Sequence, residues 1–162
     1  MPEKEYFYKE RKSMKKYNLP FLTLFFVLLL SSSCSKSKNS TSSNDTNIKK
    51  GSWKIQAASA DGTDILSLIP ACVLDNEITF QAGGIGVVEE KSNVCTPSNE
   101  SNFLWSFKNN EAQLSMTASI IPGGTGDFTI VTLNAATLVL SQQSSLIPSP
   151  TPVTVTVTLV HP

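Results

Sequence analysis

The stretch PVTVTVTLV, residues 152–160, alternates without a break. Val153, Val155, Val157 and Leu159 fall on one side of an extended chain, and Thr154, Thr156 and Thr158 on the other. Successive side chains of a strand point to opposite faces, so this is a strand with one apolar face. It also carries no charge, and neither does any residue from Phe128 to Pro162. A free sheet edge of that composition would pair with other chains, and proteins blunt such edges with lysines or bulges. Either another protein covers this surface, or the last strand pairs with the first and leaves no edge at all. Closure is the simpler resolution, and it sets the expected fold.

Working outward from this strand, the same period of two recurs. GSWKIQA puts Trp53, Ile55 and Ala57 on one face, and NEITFQA does so with Ile78 and Phe80. GIGVVEE follows across Gly83-Gly84, a tight-turn signal. SNFLWSFK aligns Phe103, Trp105 and Phe107, and AQLSMTA answers with Leu114 and Met116 across Asn109-Asn110. Asn tolerates positive φ, which suits a hairpin turn. GDFTIVTL and ATLVLSQ, with Asn134-Ala135 between them, bring the total to eight strands. The expected fold is all-β: an eight-stranded antiparallel up-and-down barrel over residues 51–162. The exception is TDILSLIPACVLD, where a short helical turn is expected near residues 64–69, with Asp64 as N-cap and Pro70 ending it.

The chain upstream reads as an address label. Leu19 to Leu30 is apolar except for Pro20 and Thr23. A spanning helix needs roughly 20 residues, so this run is too short, and it suits the core of a signal peptide preceded by Met14-Lys15-Lys16. Residues 1–13 contain Glu3, Glu5 and Glu10, which suit a signal peptide poorly, so translation is expected to start at Met14. LLLSSSC, ending at Cys34, resembles the lipobox of bacterial lipoproteins. The resemblance implies a leader over residues 1–33, a lipid on Cys34 and attachment to a membrane. The alternative is a plain secretory signal with an incidental cysteine. Lys36 follows closely, with no early acid. By resemblance to lipoprotein sorting, that places the protein in the cell envelope, on the outer membrane facing the periplasm. After Cys34, residues 35–50 are Ser, Thr, Asn, Lys and one Asp, with Ile48 as the one aliphatic residue, and residues 34–50 are expected to form a flexible tether.

The charge balance of the remainder excludes one function class. Of 13 basic and 13 acidic side chains, residues 1–33 hold six and three, so the rest carries 7 and 10 and a net charge of −3. The only arginine, Arg11, lies in the leader. Nucleic-acid binding runs on basic contacts to phosphate, so no nucleic-acid partner is expected. With Cys34 taken by lipid, Cys72 and Cys95 remain as an even pair in an oxidising compartment, and a disulfide is expected.

The ordered features after residue 50 resemble a known family. Gly51-Ser52-Trp53 matches the Gly-x-Trp signature that opens the first strand of lipocalins. Cys72, DNEITF at 75–80, Gly83-Gly84, Cys95 and a later aromatic strand with Trp105 follow in the order seen in short lipocalin-like lipoproteins of Gram-negative bacteria. The resemblance implies a lipocalin-like barrel with a binding role. Classical lipocalins also place a late arginine over the Trp, and residues 34–162 contain none.

No catalytic or metal constellation emerges, and no cofactor is expected. The single histidine, His161, falls where a frayed terminus is expected, away from any nucleophile. Glu89 and Glu90 are adjacent, so on a strand they point apart. DGTD at 61–64 and GGTGD at 123–127 read as turns, the second because no helix follows it. The candidate ligand-lining or core residues are Trp53, Phe80, Phe103, Trp105 and Phe107. A barrel of this size either fills itself with side chains or holds one small molecule. Two functions are therefore expected in competition: a non-catalytic barrel holding a small apolar ligand or lipid, or a filled interaction module meeting an envelope protein or glycan with its outer surface. A transmembrane eight-stranded barrel would make the lipid redundant, and the sequence shows no paired aromatic girdles.

Overall fold

The computed structural model describes residues 43–145 and 151–162. Cys34, the expected leader and the first part of the expected tether lie outside the described residues. The described residues all belong to one compact unit.

Eight antiparallel strands follow one another round a closed barrel. They are β1 (Ser52–Ala60), β3 (Glu77–Phe80), β4 (Ile85–Glu89), β5 (Ser101–Lys108), β6 (Gln113–Met116), β7 (Gly126–Leu133), β8 (Thr137–Ser144) and β9 (Val153–Val160). Each strand pairs with the next, and β9 returns to β1 with Lys54 opposite Val160 and Ala60 opposite Val155. The expected closure is therefore present, and the uncharged last strand has β1 on one side and β8 on the other. A two-residue strand, β2 (Thr63–Asp64), folds back on β1 through Asp61 and Gly62, both at positive φ. The other expected turns form as well. Gly83 and Gly84 take φ +81° and +79°, and Asn109, Asn110 and Glu111 all lie at positive φ.

One face of each of the eight barrel strands fills the interior. Val155, Val157 and Leu159 of β9 meet Leu138 and Leu140 of β8, Phe128 of β7 and Leu114 of β6, all almost fully buried. Burying each such side chain contributes about 1.5–3 kcal/mol. β1 departs from simple alternation. A bulge between Ile55 and Ala57 leaves Ala57 exposed and turns Ala58 inward, so the inward set is Trp53, Ile55 and Ala58. An extra residue in one strand reverses the facing of everything beyond it, and the sequence gives no mark of it.

Two further expectations need correction. The tether is not flexible up to Lys50: Ser43–Ile48 form a short helix, and Ile48 is fully buried. The Trp53 indole N–H donates to the Ile48 carbonyl oxygen at 2.8 Å. The lone aliphatic residue of a polar segment thus becomes part of the barrel's core. Pro70 does more than end a helical turn. Leu66–Leu68 form a 3-10 turn, with the Leu66 N–H donating to Asp64 Oδ1 at 2.8 Å, and then Pro70 opens a second helix, Ala71–Asp75. Proline lacks an N–H, which a first helical turn does not use, and its carbonyl accepts from the Val73 and Leu74 amides.

Candidate functional site

An up-and-down meander sends alternate connections to opposite ends. Short turns at 81–84, 109–112 and 134–136 close one end, the floor. At the other end, the mouth, the chain makes its longer excursions at 65–76, 90–100 and 117–125. These three segments enclose a cleft of about 510 Å³. Its apolar walls are Leu68, Ile69, Pro70 and Val73 from the first segment and Ala118, Ile120, Ile121 and Pro122 from the third. Ser98 to Ser101 supply a polar wall, and Val88 and Asn76 also line the space.

Covalent and polar links hold the first two walls together. Cys72 and Cys95 form the expected disulfide, with Cα atoms 5.2 Å apart. Asp75 Oδ2 accepts the Asn93 N–H at 2.8 Å, and Asn76 Nδ2 donates to Asn99 Oδ1 at 3.1 Å. Glu90 folds its own loop around itself. Its Oε1 accepts the Cys95 and Asn99 N–H groups, and its Oε2 accepts the Ser98 hydroxyl at 2.7 Å. The Ser98 hydroxyl, followed by the Asn99 and Cys95 amides, holds the Glu90 carboxyl below its ordinary range. The Asn93 amide, helped by Lys54, does the same for Asp75. Both carboxylates are therefore structural, and among the described residues Glu100 is the one charged residue lining the cleft.

The five aromatic residues singled out in the sequence occupy the barrel, and none of them lines the cleft. Trp53, Phe80, Phe103 and Trp105 are buried and Phe107 is half-buried. Phe80 meets Phe103 and Trp105 edge-on, and Trp105 meets Phe107 the same way, with centroids 5.5–5.7 Å apart. Such pairs add about 0.5–1.5 kcal/mol beyond the area they bury. Gly86 makes the packing possible, since a Cβ there would overlap the Phe103 ring. His161 is not frayed. Closure of β9 on β1 carries it over Trp53, with ring centroids 4.1 Å apart, and its Nδ1 lies 2.7 Å from the Ser52 carbonyl oxygen. An imidazole therefore covers the tryptophan where classical lipocalins are expected to use an arginine.

A family model described as a lipocalin-like domain matches residues 50–140. The chain belongs to the lipocalin-like family. No curated protein matches it. The family match stops within β8, yet β8 and β9 complete this lipocalin-like barrel down to Val160.

In this lipocalin-like domain the sequence located the aromatic interior but not the cleft. The strand pattern did hold one signal. Asn76, Ile78 and Phe80 share a face by period two, so a polar amide stands at an inward position, and Asn76 is 5% exposed. The loop residues Glu90 and Asn99 had no such mark, because irregular chain has no period to betray which side chains turn in. Among the described residues, no group of three His, Cys, Asp or Glu is placed to hold a metal ion, and no helix is long and apolar enough to cross a membrane.

Proposed function

We propose that the protein is a non-catalytic lipoprotein of the cell envelope, anchored by lipid on Cys34 at the outer membrane and facing the periplasm. Its lipocalin-like barrel binds one small, largely apolar ligand in the cleft at the mouth. The observation that carries this reading is the cleft itself: about 510 Å³, apolar on two walls, with the disulfide joining the loops around it. That volume lies within the range of small-molecule sites, roughly 300–1,000 Å³. The interior is packed with Trp53, Phe80 and their neighbours, so the ligand sits above the core and rests on Val88. The packed interior and the charge-free strands β8 and β9 also favour a second reading, an interaction module that meets an envelope protein or glycan with its outer face.

Native mass spectrometry separates the two. Residues 40–162 contain the whole closed barrel and its core, so this unit is secreted to an oxidising periplasm and purified without detergent. An extra mass released on denaturation, identified as an apolar compound, is the expected result. A clean mass, less two hydrogens for Cys72–Cys95, would move the search to outer-surface partners. The intact mass of the full chain from membranes tests the anchor: an N-terminus other than acylated Cys34 would sink it.

A further inference from the structure

We propose that the mouth cleft selects ligands whose apolar body ends in an uncharged hydrogen-bond donor, a hydroxyl or an amide N–H, and that Asn76 is the residue that reads it. The inference rests on the cleft being the binding site and adds the chemistry of what enters it.

Asn76 is the most buried of the polar side chains lining the cleft, at 5% exposed. Its Nδ2 is engaged by Asn99, but its Oδ1 is buried without a hydrogen-bond partner. A buried polar atom left unsatisfied costs free energy, and native proteins hold few of them. What this amide lacks is a donor. None of the side chains lining the cleft donates to it, the hydroxyls of Ser98, Ser101 and Ser119 included. Rotation of the Asn76 amide away from Asn99 presents Oδ1 to a head group seated in the cleft, whose tail then lies along the apolar walls.

The charge of the site narrows the class further. Among the described residues, Glu100 is the only charged one lining the cleft. The nearby Lys91 is turned to Glu77 and Glu89, at 3.2 and 3.1 Å. Among the described lining residues an anionic head would therefore meet a carboxylate and no cation, so alcohols and amides enter in preference to fatty-acid carboxylates.

The test uses three probes of one size on residues 40–162: 1-octanol, its donor-free isomer 1-methoxyheptane, and octanoate. Binding is followed by two-dimensional NMR of backbone and side-chain amides. Octanol is expected to bind about tenfold more tightly than either of the others, the effect of one neutral hydrogen bond. Its shifts should centre on the Asn76 and Asn99 side-chain amides. Asn76→Leu should remove the advantage of octanol and leave the ether unchanged. Equal affinity for all three would overturn the donor inference while leaving an apolar cleft in place. Shifts at the interior aromatics, or no binding by any probe, would overturn the cleft reading and the inference with it. Because the probe series is measured on the unmodified sequence, a variant that failed to fold would not remove the test.

Discussion

The floor and the mouth of this barrel terminate the same eight strands in opposite ways. At the floor the turns are short, and the one early aliphatic residue, Ile48, is buried with its carbonyl fixed by the Trp53 indole. His161 lies over the same ring from the far end of the chain. At the mouth the connections are long, Leu68 is 76% exposed, and order comes from a disulfide and from carboxylates that accept backbone N–H groups. Apolar burial is strong and close-packed and leaves no space behind, so it suits an end that is shut. Directed bonds between loops leave a space open between them, so they suit the end proposed as the binding site.

The sharpest way to break that contrast is at the floor. Trp53→Ala should cost about 3–5 kcal/mol of stability in urea unfolding. A loss under about 1 kcal/mol would mean that the floor is not where the barrel is held. Next comes the mouth. Replacing Cys72 and Cys95 together by Ala should cost about 3 kcal/mol on the chain-entropy account. The distinguishing result is regional: amide exchange should quicken across 66–76 and 90–100, while the paired amides of β1 and β9 keep their relative protection. Uniform acceleration would make the disulfide a global staple instead.

The smallest effect is that of acid. Glu90 and Asp75 have folded-state pKa values below their ordinary 4.5 and 3.8. A lowered carboxylate stabilises fully above its unfolded value, and that contribution fades as pH falls through the folded value. The mouth loops should therefore be unchanged between pH 7 and about 5 and loosen below about 4. The amide resonances of Cys95 and Asn99 should move while the Trp53 indole does not. Glu90→Gln should reproduce the loosening at neutral pH, and loops unchanged in that variant would remove Glu90 from the account.

The same contrast explains what the sequence could and could not reveal. Strands announce themselves through period two, so β3 to β9 and the inward faces of Phe80, Phe103 and Leu114 were legible, and the charge-free run from Phe128 onward implied closure. The bulge beyond Ile55 was not, because one inserted residue leaves composition untouched while reversing every facing after it. Ile48 was hidden by its polar neighbours, since average polarity argues against order and a single anchor escapes an average. At the mouth, the cysteines were readable from their number. The cleft itself depends on how three irregular segments meet, and only Asn76, which shares the inward face of a strand, left a trace.

The pairing of β1 with β9 also sets the order of events when the barrel is made. Lys54 finds its partner in Val160, more than a hundred residues later in the chain. Hairpins from β3 to β8 can form as they emerge, but β1 keeps one open side until the last strand arrives, and Trp53 waits as long for His161. Sheets that depend on distant pairings assemble slowly. For the exported protein proposed above, this arrangement would keep the barrel from locking shut until β9 has crossed the membrane.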